Sequence, residues 1–128
     1  MPVFDREAYV RASVESVLAT GYPALEIVVV DDGSTDGTAA ILEDVRLRNA
    51  GVVRILRHPG GGNAGPWASR NRALAAATGT YVCFLDSDDL MQPHRLERAV
   101  RILDGVEGIT RVTFKEVDVV RHDLRLMP

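Results

Sequence analysis

The run Leu25-Glu26-Ile27-Val28-Val29-Val30 constrains this chain more than any other feature. It is rich in β-branched residues, too short for a helix and apolar on both faces, which marks a buried parallel strand. Such a strand needs helices on both sides, and the surrounding pattern provides them. Residues 6–20 carry Ala8, Val10 or Arg11, Val14, Val17 and Leu18 at helical spacing, with Gly21 and Pro23 to end the helix. A second helix is expected over residues 38–49, with Ile41, Leu42 and Val45 facing in and Gly51 closing it. Residues 52–56 form the next strand, 59–66 a glycine-rich loop, and 67–78 a helix ended by Gly79. Residues 81–85 are another two-sided apolar strand, residues 92–103 a helix, and residues 109–120 alternate as one further strand. This alternation predicts an α/β fold: three layers, α/β/α, around a mostly parallel central sheet with right-handed crossovers.

The chain has 128 residues, enough for one domain with a real core, and no internal boundary is visible. The formal net charge of −3 gives no electrostatic footprint for nucleic acid. A single cysteine, Cys83, excludes an intramolecular disulfide framework and a Cys-rich zinc site; its place between Val82 and Phe84 reads as a packed core thiol. No apolar run approaches the length of a membrane span and no signal-peptide pattern opens the chain. The expected location is cytoplasmic, with the cytoplasmic face of a membrane reached only through a longer parent protein.

In open α/β sheets, ligands bind at the carboxyl ends of the strands. Two acidic clusters stand at such ends: Asp31-Asp32 and Asp86-Ser87-Asp88-Asp89. A single acidic pair is as often a plain turn, since Asp bonds its own backbone there. Three carboxylates within four residues are harder to explain that way, because they repel one another unless a cation neutralises them. Hard cations such as Mg²⁺ and Mn²⁺ suit oxygen donors of this kind, with substrate phosphates completing the shell. A third element is the loop Gly60-Gly61-Gly62-Asn63-Ala64-Gly65, which runs into a helix carrying Arg70 and Arg72. Glycines let backbone approach a ligand and an arginine can fork onto a phosphate, but neither the P-loop nor the dinucleotide fingerprint is matched.

The segments Val28-Val29-Val30-Asp31-Asp32-Gly33-Ser34-Thr35-Asp36-Gly37-Thr38, Asn63-Ala64-Gly65, Ser69-Arg70-Asn71-Arg72-Ala73-Leu74 and Gly79 through Asp89, in this order, resemble the family 2 glycosyltransferases of the GT-A fold. The resemblance covers nearly the whole chain. It implies transfer of a sugar from a nucleotide-diphosphate sugar, a UDP-sugar above all, to a hydroxyl of a saccharide, lipid or protein acceptor. It also implies dependence on Mn²⁺ or Mg²⁺ and inversion of the anomeric centre. By the same resemblance Asp32 bonds the base, and Asp86, Ser87 and Asp88 form the Asp-X-Asp motif. Asp88 is then the direct metal ligand, with Asp86 facing ribose and metal, while Asp89 serves the motif or caps the next helix. Asn63, Gly65 and Arg70 lie near the nucleotide, and Pro2 and Phe4 line the base pocket.

Relative to that family both ends are short. Only Met1 precedes the Pro2-Val3-Phe4 segment, where a central strand is expected, and the general base is expected beyond residue 128 in an acceptor-binding half. The chain thus reads as a single donor-binding domain over residues 1–128, with an exposed sheet edge that could pair copies of the chain. Glu116 and Asp118 read as a solvated strand face, and a turn is expected at His122-Asp123. His58, His94 and His122 have no ligand spacing and are expected at the surface. Trp67 either flanks a ligand or packs at its helix start, and Arg95, Arg98 and Arg101 line a solvated helix face. Two competing readings remain. One is a nucleotide-sugar-binding fragment without turnover. The other is a phospho-receiver domain, which Lys115 serves poorly, lying mid-strand and close to Asp86 in sequence.

Overall fold

A computed structural model describes residues 1–105, 111–114 and 117–121. The order is β1 (Pro2–Val3), α1 (Val10–Leu18), β2 (Ile27–Asp31), α2 (Thr38–Arg48), β3 (Val53–Arg57), α3 (Pro66–Ala76), β4 (Tyr81–Cys83), α4 (Arg95–Gly105), β5 (Arg111–Phe114) and β6 (Val117–Arg121). The α/β alternation expected from the apolar runs is present. β2 lies between β1 and β3 in a parallel sheet, with Pro2 opposite Val30 and Ile27 opposite Val53.

Side-chain alternation along β2 explains why both of its faces are apolar. Ile27 and Val29 point into a cluster with Val10, Val14 and Val17 of α1 and Leu42 and Val45 of α2. Val30, on the other face, is fully buried where α3 packs across β1 and β2. Burial of Leu42, Val45, Val10 and Val14 is what orders these helices, since α1 has no side-chain cap at its start. α3 begins differently: Gly65 at φ +90° and Pro66 in the first turn set its entry, the proline giving up an N–H that has no helical partner there.

Two features differ from the sequence expectation. The strand over residues 81–85 does not join the parallel sheet. β4 pairs antiparallel with β6, which pairs antiparallel with β5, in a separate sheet ordered β4-β6-β5. With β1 only two residues long, β4 has no described hydrogen-bonded neighbour on the side of the first sheet. Between the sheets lies an apolar cavity of about 450 Å³, walled by Met1 and Val28 on one side and Val82, Cys83 and Phe84 on the other. The Met1 amine donates to the Val28 carbonyl at 2.9 Å, and burial pushes its pKa down to about 6. The second difference is that residues 109–120 are not one strand. The chain reverses between Phe114 and Val117, which oppose each other across the β5–β6 ladder. Alternating hydrophobicity is blind to so short a reversal. Lys115, Glu116, His122 and the turn at His122-Asp123 lie outside the described residues.

Glu26 ties the entry of β2 to the connection between α3 and β4. Its Oε1 accepts from the Thr78 N–H at 2.6 Å, the Thr78 hydroxyl at 2.7 Å and the Gly79 N–H at 3.1 Å, and its Oε2 from Arg54 at 3.2 Å. Burial alone would raise this carboxyl, but the hydrogen bonds from Thr78, Arg54 and Gly79 outweigh it and hold it below 4.5. A depressed carboxyl stabilises the fold above its unfolded value and stops doing so as pH falls through the folded one. Glu26→Gln is therefore expected to lose about 1 kcal/mol in urea unfolding at neutral pH. The gap from the unsubstituted chain should close as pH drops below 4.5; a gap independent of pH would refute the charge-based account.

Candidate functional site

A cleft of about 310 Å³ opens where the first sheet meets the turn after β4. β1 and the residues after it contribute Pro2 and Phe4, and the end of β2 contributes Asp32. The glycine loop brings Asn63, α3 brings Arg70, and the acidic turn brings Asp86, Ser87 and Asp88. Gly65, the remaining expected residue, reaches the site through its backbone N–H. Eight of the nine expected nucleotide-site residues thus line the cleft, while Arg72, the second arginine of α3, is not in its lining and has its Nε buried without a partner among the described residues. The structure adds Val3, Arg6 and Pro66 to the lining. The larger cavity between the sheets is lined mainly by apolar groups, whereas the smaller cleft brings carboxylates and arginines together.

Asp32 is 2% exposed and organises one end. Its backbone N–H bonds the Val3 carbonyl at 2.8 Å, fixing it to β1. Its Oδ1 accepts from the Ala64 N–H at 2.7 Å and its Oδ2 from the Gly65 N–H at 2.9 Å. Oδ1 is also faced by His58 Nε2 at 3.5 Å, whereas Oδ2 has a further lone pair beyond the Gly65 bond. The neighbouring Asp31 is equally buried but has a turn-building role, accepting from the Ser34 N–H at 3.0 Å and from Arg57 at 3.2 Å.

The surface position expected for His58 is not observed. Its side chain is 12% exposed, with Nε2 2.9 Å from the hydroxyl of fully buried Ser69 and 3.5 Å from Asp32 Oδ1. His94 is exposed as expected. His58 stands just beyond β3 in sequence, and nothing local distinguishes it from a loop histidine.

The acidic turn is clamped from below by α1. The Asp89 N–H closes on the Asp86 carbonyl at 3.1 Å. Ser13, 1% exposed, donates its hydroxyl to the Asp89 carbonyl at 2.7 Å, and the Met91 N–H donates to Ser16 Oγ at 2.8 Å. These serines were legible only as polar residues on an otherwise apolar helix face. α4 starts at Arg95, so Asp89 does not cap it.

Asp86 and Asp88 point their carboxylates to the cleft, each about half exposed. Arg70 donates to Asp86 Oδ1 at 2.7 Å while its guanidinium lies 5.1 Å from the centre of the Trp67 ring. Trp67 is 76% exposed, which rules out packing at the helix start. Arg6 Nε stands 3.6 Å from Asp88 Oδ2, too long for a hydrogen bond. An ion pair this exposed contributes about 0–1 kcal/mol. Among the described residues no group of three or more His, Cys, Asp or Glu could by itself hold a metal. Two converging, half-exposed carboxylates nevertheless fit a hard cation that takes its other ligands from water and phosphate.

Gly33, at φ +83°, joins the β2 turn to the glycine loop. A methyl group there would stand 3.0 Å from the Gly61 carbonyl oxygen and 3.1 Å from the Asn63 nitrogen. Gly61 also has a positive φ, +71°, but open space around it. Alanine at either position is strained by about 1–2 kcal/mol. Gly33→Ala is expected to lose at least about 1 kcal/mol more than Gly61→Ala in urea unfolding, through overpacking. Equal losses would mean that the loop yields freely.

Residues 1–123 match the family model described as "Glycosyl transferase family 2". The chain is 35% identical over 102 residues to the putative teichuronic acid biosynthesis glycosyltransferase TuaG of Bacillus subtilis, covering 80% of this chain and 39% of that protein. It is 33% identical over 133 residues to the putative glycosyltransferase EpsE of the same organism, covering 100% of this chain and 46% of the relative. It spans less than half the length of both. Among solved structures, S. aureus TarS 1-349 in complex with UDP superposes with a TM-score of 0.76 at 27% identity, covering 94% of this chain and 45% of that one. A mannosyltransferase from Pyrobaculum calidifontis, in complex with GDP-Man and Mn²⁺, gives a TM-score of 0.82 at 20% identity, covering 94% and 42%, and bears on the fold alone.

Proposed function

The chain belongs to glycosyl transferase family 2, and from that membership we propose that its cleft binds the nucleotide-diphosphate-sugar donor of an inverting, metal-dependent sugar transfer. The observation that carries the reading is the convergence, in one cleft, of an acceptor-bearing Asp32 with a carboxylate pair flanked by two arginines. The TarS complex holds UDP, which supports a uracil nucleotide as the donor's base.

In this reading the Asp32 carboxylate accepts the N–H of the base, and Phe4, 41% exposed, offers an apolar face beside it. Asp86 and Asp88 would hold Mn²⁺ or Mg²⁺. When bound, that cation supplies Lewis-acid stabilisation of the charge that develops on the departing diphosphate. Arg70 adds a fixed positive charge at the same end, where its geometry is held by Asp86 and the Trp67 ring. The acceptor, a hydroxyl of a saccharide, lipid or protein, attacks from the opposite side of the sugar, and its proton goes to a carboxylate that we place outside residues 1–128. A domain that binds donor without turnover is the second reading.

Titration calorimetry of UDP and of GDP, with Mn²⁺, with EDTA and on Asp88→Ala, tests the donor site. Expected is binding of UDP with Mn²⁺ that weakens by about tenfold or more in EDTA and in the variant, a loss of about 1.4 kcal/mol or more. Binding of neither nucleotide by a cooperatively folded chain would overturn the reading. Tighter binding of GDP would reassign the base.

A further inference from the structure

We propose that Arg6 serves two anionic partners in turn: it neutralises Asp88 in the arrangement described above and transfers to the donor's diphosphate when donor and cation bind. The inference rests on the cleft being a nucleoside-diphosphate site and deepens that reading by adding a residue that neither the sequence pattern nor the comparisons assigned.

The contrast between the two arginines carries the argument. Arg70 is 24% exposed, makes a 2.7 Å hydrogen bond to Asp86 and is stacked on Trp67, so three constraints fix it. Arg6 is 41% exposed, and its approach to Asp88 at 3.6 Å has Coulombic attraction without a hydrogen bond. Its anchor lies elsewhere. Nη1 donates to the Phe4 carbonyl at 3.2 Å and to the Asp5 carbonyl at 3.0 Å, so the guanidinium stays at the cleft mouth even with the Asp88 contact released. Nη2 has no partner among the described residues, which leaves its two N–H groups for an incoming anion.

The backbone that presents Arg6 is held deliberately. Asp5 lies at φ +48°, sparsely populated for a residue with a side chain. Its carboxylate fixes that conformation by accepting from the Thr35 N–H at 2.7 Å, and the Arg6 N–H is tied to Thr38 Oγ1 at 2.8 Å.

Charge balance supplies the reason for exchange. A divalent cation on Asp86 and Asp88 repels a guanidinium paired with Asp88, so Arg6 opposes binding of the bare cation. A diphosphate brought in with the cation carries two negative charges and offers Arg6 a fork-shaped acceptor a short swing away. The same side chain should thus weaken binding of metal alone and strengthen binding of metal with UDP.

That opposition of sign is the test. Mn²⁺ binding, read by the electron paramagnetic resonance of the free ion, and calorimetry of UDP with Mn²⁺ and of uridine are compared in the unsubstituted chain, Arg6→Gln and Arg6→Lys. Arg6→Gln is expected to bind Mn²⁺ alone several-fold more tightly and UDP with Mn²⁺ about tenfold more weakly, with uridine unchanged. Arg6→Lys, which keeps the charge and loses the fork, should fall between for UDP and match the unsubstituted chain for Mn²⁺. Metal and UDP affinities that fall together, or a UDP affinity that does not change, would overturn the role of Arg6 while leaving the donor site standing. Failure of the unsubstituted chain to bind either uridine or UDP would remove the donor-site reading and this inference with it.

Discussion

The carboxylate of Asp32 is the interaction on which the rest of the site depends. A glycine-rich segment has no side chains to pack, and its conformational entropy opposes any single shape. Here two successive backbone N–H groups, from Ala64 and Gly65, end on the two oxygens of one buried carboxylate. That carboxylate is rigid because its own backbone is bonded to β1. The order of the loop therefore derives from the parallel ladder, and α3 begins where the second of those bonds is made. Arg70, one turn further along, inherits its position from the same chain of constraints. Substituting Asp32 would disturb the loop, the helix entry and the arginine together, so its effect on ligand binding would not isolate contact with the base.

The other end of the cleft is built on the opposite principle. Asp86 and Asp88 stand in solvent on a turn whose backbone, not its carboxylates, is held by buried Ser13 and half-buried Ser16. Their charges are balanced by Arg70 and Arg6, a firm pair and a loose one. Two unpaired carboxylates on one short turn would repel each other, and two buried salt bridges would resist the arrival of a cation. An exposed arrangement with one loose pair limits both problems. It keeps the acidic turn compatible with the fold while leaving Asp88 free to change partners.

The strand–helix alternation was legible because each apolar run is dictated by burial on two faces, and β2, α2 and α3 fall close to where periodicity puts them. The site residues were legible as types at strand ends. What could not be read is what depends on partners distant in sequence. The β5–β6 reversal leaves the alternating pattern intact, so one strand was expected where there are two. β4 pairs with β6 rather than joining the parallel sheet, a tertiary arrangement that the apolar run 81–85 does not encode. His58 is a loop histidine in sequence and a neighbour of Asp32 only because β3 pairs alongside β2. Arg6 opens the stretch 6–20 expected as the first helix, whereas α1 begins at Val10, and its place at the cleft comes from the positive φ of Asp5 and the carbonyls it thereby reaches.

The location of the cleft also has an energetic consequence. Away from the site the two sheets are separated by an apolar cavity of about 450 Å³, so their lining atoms forgo dispersion contacts that a filled interior would provide. At the site they are joined by Ser13 to the acidic turn, by Arg70 to Asp86 and by Arg6 to Asp88. A ligand contacting Asp32 on one side and Asp86 and Asp88 on the other would bridge the same seam. Since only the folded chain presents both sides together, such a ligand would stabilise the fold by mass action. The largest benefit would fall on the acidic turn and β4, which share no backbone ladder with the first sheet among the described residues. The cleft thus lies where a ligand can both be recognised and hold the two sheets together.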